Sequence, residues 1–343
     1  MKRYMEDIVA NKELRRRICE DILGGHFLHA YIIEGISGSG KHTIAKLTAA
    51  ALSCERKNDP SCALPCTACP TCKKILSELS PDVITVDSEG KTTIGVDKVR
   101  FLKKDIHIIP NELDNKVYII EDADKMTVQA QNALLLTLEE PPAYARFFLL
   151  CENSELLLET IKSRAPTLRT EPIPTDMIDT YICKKDLRAS QMKASSPKEY
   201  AELLVSSSFG IGRALDLLEP KNFAPILECR HLANDFIVCA LSPNSEVTPF
   251  SLLQRFSQKR DALTDQLFLI QSALRDLIIS KKSDTATLFF FTSREYAAEL
   301  CDTVSIAHIL KLYDAVSVAI ERTARNANVR LTLVSLFSDT DMI

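Results

Sequence analysis

At 343 residues with 46% hydrophobic content, the chain has material for a large core and for two or three domains. A net charge of −4 and a pI near 6.0 argue against an autonomous nucleic-acid binder, whose surface carries a basic excess, so any DNA contact is expected to be shared or local. No apolar segment has the length of a membrane span, and Met1-Lys2-Arg3-Tyr4-Met5-Glu6-Asp7 lacks a signal peptide's apolar stretch, so the cytoplasm is the expected location.

The first predicted strand, Tyr31-Ile32-Ile33, runs into Gly35-Ile36-Ser37-Gly38-Ser39-Gly40-Lys41, and a helix is predicted over Thr43 to Leu52. Strand, glycine loop and helix in that order are the context a phosphate-binding loop requires. Gly35, Gly38 and Gly40 let backbone N–H groups close around a phosphate, Ser39 lies within the loop, and Lys41 is placed to reach the outer phosphates. The helix N-terminus adds a favourable field for the anion. His42, however, stands where the motif has Ser or Thr. That hydroxyl binds Mg²⁺, for which imidazole is a poor ligand, and Thr43 lies about 100° further around the helix.

Eleven cysteines are present, and five of them fall between Cys54 and Cys72. Cys66-x-x-Cys69-x-x-Cys72 supplies three thiolates for one tetrahedral ion, and the fourth is expected from Cys54, with Cys62 as the rival. No open ligand position is apparent, so the expected ion is a structural Zn²⁺. Cys19, Cys151, Cys183, Cys229, Cys239 and Cys301 read as buried apolar residues.

Val83 to Val86 reads as a strand, and Ile94-Gly95-Val96-Asp97 opens a helix running toward Ile108. Lys116 to Ile120 is a third strand, ending in Glu121-Asp122-Ala123-Asp124. An acidic pair after a buried strand is the usual second half of a P-loop site. Here Glu121 precedes Asp122, the reverse of the common order, which displaces both carboxylates and weakens the case for hydrolysis. A helix over Thr127 to Glu140 stops at Pro141-Pro142, and a fourth strand follows at Phe147 to Cys151. A short helical segment, Leu156 to Lys162, leads to Ser163-Arg164. Beyond about Pro172 only helices are predicted, with loops near Leu241 to Pro249 and Lys281 to Thr285, and no catalytic constellation follows.

These motifs resemble those of the DNA polymerase III clamp-loader family of AAA+ proteins, most closely its delta-prime branch. The resemblance is carried by His29-Ala30 before the loop, the cysteine module after its helix, Gly95-Val96-Asp97, the run Asn132 to Pro142 and Ser163-Arg164. The family usually has Lys where Leu136 stands and Cys where Ala165 stands. Gly212-Arg213-Ala214-Leu215 resembles the lid-domain helix, with the register of Arg213 as a sensor residue left open.

The resemblance implies an α/β fold: an AAA+ P-loop parallel-sheet domain at 1–172 with a zinc module at about 54–72, a helical lid at 173–221 and an all-helical collar at 222–343. It implies a hetero-pentamer with gamma/tau and delta subunits that places a sliding clamp on primed DNA. Arg164 would act in trans as an arginine finger in a neighbour's ATP site. ATP or ADP is the expected ligand of the loop, with Mg²⁺ doubtful. The alternatives are an active gamma/tau-type motor subunit, which Lys41 favours, a zinc-containing nucleic-acid binder, which the acidic charge disfavours, and a small-molecule P-loop kinase, which the all-helical second half disfavours.

Overall fold

The expected alternation of strands and helices builds a single sheet. In the computed structural model β1 (Ala30–Glu34), β2 (Val83–Val86), β3 (Lys116–Ile120), β4 (Ala145–Cys151) and β5 (Thr167–Arg169) lie in the order β2-β3-β4-β1-β5, every pair parallel. The structure describes Met5 and residues 8–88, 92–242, 247–283 and 285–340. Most of the N-terminal stretch read for a leader, and parts of the two loops expected in the helical half, lie outside those residues.

Parallel strands buried on both faces need apolar side chains on both, and β1, β3 and β4 have them. Tyr31, Ile33, Val117, Ile119, Phe148 and Leu150 line one face, while Ile32, Tyr118, Ile120, Phe147 and Leu149 line the other. Each fully buried Ile, Leu or Phe contributes about 1.5–3 kcal/mol against exposure. On the first face pack α1 (Lys12–Gly24), α2 (Lys41–Leu52) and α3 (Pro70–Leu76). On the second pack α4 (Val96–Asp105), α5 (Val128–Glu139) and α6 (Glu159–Lys162). Tyr118 and Phe147, register partners on β3 and β4, stack with ring centroids 5.2 Å apart.

Two local expectations change. The helix read over Leu156 to Lys162 is a 3₁₀ turn at Ser154–Leu156 followed by the single turn of α6, and β5 was not expected. Cys183, Cys229 and Cys239 are half-buried, whereas Cys19, Cys151 and Cys301 are buried as expected.

The chain divides into two compact units, Met1–Tyr181 with Phe209–Gly212, and Ile182–Ser208 with Arg213–Ile343. Helices follow the sheet: α7 (Thr175–Lys185), α8 (Leu187–Ser195), α9 (Pro197–Ser206), α10 (Ile211–Leu217), α11 (Pro220–Leu241), α12 (Pro249–Arg255), α13 (Arg260–Ser280), α14 (Arg294–Cys301), α15 (Ile306–Ala324) and α16 (Val329–Asp339). The core of the second unit lies between α11, α13, α15 and α16, where Phe236, Phe256 and Phe337 meet edge to face. Asp276, fully buried on α13, accepts the N–H groups of Phe289, Phe290 and Phe291 at 2.8, 2.6 and 3.2 Å and pins that connecting segment. Among the described residues no single helix is long and apolar enough to cross a membrane.

Candidate functional site

The phosphate loop leaves the carboxyl end of β1, which lies between β4 and the edge strand β5, and enters α2 at Lys41. Gly38 and Gly40 have φ of 74° and 86°, the left-handed region that a side chain resists. Gly35 is required for space: a Cβ there would lie 1.8 Å from Thr170 Oγ1. Thr170 follows β5 and donates its hydroxyl to Ser39 Oγ at 3.0 Å, so the buried Ser39 ties the loop to the sheet's last strand. Gly210 packs on the loop from another direction, where its own Cβ would meet the Gly38 carbonyl carbon at 2.8 Å, and the Gly212 N–H donates to Gly38 O at 3.3 Å. The sequence placed Gly212 in the run that resembles the lid-domain helix and gave no sign of its contact with the loop.

Lys41 Nζ crosses the loop and donates to Gly35 O at 2.6 Å and Ile36 O at 3.0 Å. Burial lowers its pKa, against the opposing pull of Glu152, Asp122 and Asp124. His42 lies in the first turn of α2, and its Nδ1 is hydrogen-bonded to Glu121 Oε1 just past β3. The ring's Nε2 lies 3.9 Å from Glu78 Oε1, which Lys46 Nζ holds at 2.7 Å. Asp122 is in the left-handed conformation, φ 48°, with its carboxylate on Lys125 at 3.0 Å. Asp124 turns the other way and accepts the N–H groups of Glu152 and Asn153 at 3.0 and 3.3 Å. Thr43 is exposed at the next position of α2. Neither partner expected to hold Mg²⁺ is available to it: one is an imidazole and the other is bonded to that imidazole. The residues present do not fit a P-loop magnesium.

The cysteine cluster is built by the entry to α3. Cys69 caps the helix, Pro70 fixes its first turn and Cys72 follows one turn on. Cys66 approaches from the preceding loop, accepting the Cys69 N–H at 3.3 Å, and Cys54 arrives from the end of α2. The Sγ atoms of Cys54, Cys66, Cys69 and Cys72 all lie within 4.8 Å of one another, Cys66 and Cys72 at 4.0 Å. Four sulfurs about 2.3 Å from one Zn²⁺ would be roughly 3.8 Å apart, so this donor set fits tetrahedral zinc. Burial opposes ionisation at Cys66, yet the N–H groups of Cys69 and Ala68 together with the Cys69 and Cys54 thiols outweigh it and bring that thiol down to about 7. Burial raises Cys54 and Cys72. Cys62 turns away and contacts Asp59 Oδ2 at 3.3 Å.

Arg164 follows α6 at the surface. Its Nη2 pairs with Glu139 at the end of α5 at 2.7 Å, and its Nη1 donates to Thr160 O at 2.8 Å and Ser163 Oγ at 3.2 Å. Ala165, where the family usually has Cys, is fully buried, and Leu136, where it usually has Lys, is exposed. Arg213 donates from Nε to Ser206 O at 3.2 Å.

Fold and loop together define a parallel α/β domain that carries a P-loop after its first strand. Residues 10–174 match the family described as "DNA polymerase III, delta subunit". The DNA polymerase III subunit tau of Bacillus subtilis is 32% identical over 62% of this chain and 37% of its own. The subunit delta′ of the same organism is 33% identical over 57% of this chain and 55% of its own, so the alignments span about a third to half of these relatives. A solved DNA polymerase III gamma subunit-related protein of Thermotoga maritima aligns over 95% of this chain and 97% of its own, at 19% identity and a TM-score of 0.48. Over residues 10–174 the chain is thus similar to the DNA polymerase III delta-subunit family and to the tau and delta′ subunits of Bacillus subtilis.

Proposed function

We propose that the chain is a delta-prime-like subunit of the DNA polymerase III clamp loader, with little or no ATP hydrolysis of its own. It would sit beside gamma/tau and delta subunits in a cytoplasmic hetero-pentamer, meeting the sliding clamp and primed DNA as part of that assembly. Residues 173–221 would serve as the lid and 222–343 as the collar that joins the ring. Zn²⁺ on Cys54, Cys66, Cys69 and Cys72 would brace the loop between α2 and α3, with no reactive position open.

The observation that carries this reading is the bond between His42 and Glu121. Hydrolysis in a P-loop site needs a hydroxyl on Mg²⁺ and free carboxylates at the end of a second strand, here β3. Here those positions close on each other, and Asp122 is held by Lys125. Arg164, in contrast, stands at the surface with its guanidinium in a surface ion pair that a partner can displace. Its chemistry is to stabilise charge on a phosphoryl group in transfer at a neighbour's site, an effect of roughly 10³–10⁵ in rate for arginine fingers. The loop's intact Lys41 favours a second reading, an active motor subunit of the same loader.

Reconstitution with gamma/tau and delta subunits separates the two. Arg164→Ala is expected to leave folding and zinc content intact and to cut clamp- and DNA-stimulated ATPase by at least about tenfold at one site. Unchanged activity would refute the trans role, and brisk hydrolysis by the purified chain alone would establish the motor reading instead.

A further inference from the structure

The misfit between the loop and magnesium has a positive side. His42 and Glu121, 79 residues apart, are brought together by α2 and the end of β3, and the ring is flanked on its other nitrogen by Glu78. Lys46, one turn along α2 from His42, holds Glu78 there. A dication entering this place would have to break the imidazole–carboxylate bond, and it would gain a nitrogen ligand unsuited to a hard ion. The rest of the anion site is nonetheless in order. Two glycines are in the left-handed conformation, Gly35 and Gly210 press closely on the loop's surroundings, Ser39 is clasped by Thr170, and Lys41 lies across the turn.

We propose that this loop binds a nucleoside di- or triphosphate without a divalent cation, with the His42–Glu121 pair standing where the cation would be. The positive field comes from Lys41, the loop N–H groups and the start of α2. Glu121 is engaged by His42 and so is not free to take a cation. The inference rests on reading residues 35–41 as a phosphate loop and is independent of the role of Arg164.

The test is equilibrium binding of fluorescent ADP and ATP to the purified full-length chain, in excess Mg²⁺ and in excess EDTA. The expected dissociation constants agree within about twofold between the two conditions for each nucleotide, and Lys41→Ala loses binding in both. His42→Thr restores the hydroxyl and frees Glu121, so it is expected to gain a Mg²⁺-dependent tightening of about tenfold or more. If His42→Thr fails to fold, His42→Ser serves instead, with the same expected Mg²⁺-dependent tightening. Wild-type affinity that rises more than about tenfold with Mg²⁺ would overturn the proposal, as would failure of either nucleotide to saturate the chain in EDTA. Neither result bears on ATPase loss by Arg164→Ala in the assembled loader, so the two readings fail separately.

Discussion

His29 precedes β1, and its imidazole is half-buried with Nε2 lacking a hydrogen-bond partner. Burial lowers its pKa below 6.5, with Arg146 acting in the same direction and a contact to the Leu138 backbone opposing. The folded state therefore prefers the neutral ring. As pH falls through about 6.5 the unfolded chain takes up a proton first, so stability is full above that value and is lost below it, until the folded-state pKa is passed. The thermal midpoint is expected to drop more between about pH 7.5 and 5.5 in the wild type than in His29→Gln. Equal drops would show that the ring does not carry this dependence. The two residues at the glycine-rich loop that mattered most, His42 and Glu121, were each visible in the sequence as departures from a motif. Their bond was not, because no pattern specifies which side chains meet across 79 residues.

At the level of elements, legibility followed burial. β1, β3 and β4 are covered on both faces and read as continuous apolar runs. β5 is three residues long with one of them buried, too short for a period to register. α6 has a single turn, shorter than any helical periodicity. The cysteine cluster was legible in its three-thiol core, since Cys66, Cys69 and Cys72 lie within a few residues of each other, but the fourth donor depends on where α2 ends relative to α3. With Cys54 among the four sulfurs and Cys62 against Asp59, metal analysis of the purified chain is expected to give one zinc. Cys62→Ser should keep it, while Cys54→Ser should lose it or weaken its retention against a chelator by about tenfold or more. Equal retention by both variants would remove Cys54 from the ligand set.

At the level of the whole molecule, the proposed subunit must offer Arg164 to a neighbour while folded around its own contacts. The guanidinium is engaged by Glu139, whose side chain is 42% exposed, and by the carbonyl of Thr160. A surface pair of this kind contributes about 0–1 kcal/mol, so it can hold the arginine in place between encounters without trapping it. Reaching a phosphate requires the carboxylate to be left behind, and that cost is drawn from the stabilisation delivered in the partner's site. Glu139→Gln keeps the shape of the side chain and removes its charge. The reconstituted loader carrying it is therefore expected to hydrolyse ATP at the wild-type rate or up to about fivefold faster, opposite in direction to Arg164→Ala. A loss of rate comparable to that of Arg164→Ala would mean that Glu139 positions the arginine for the neighbour and does not restrain it.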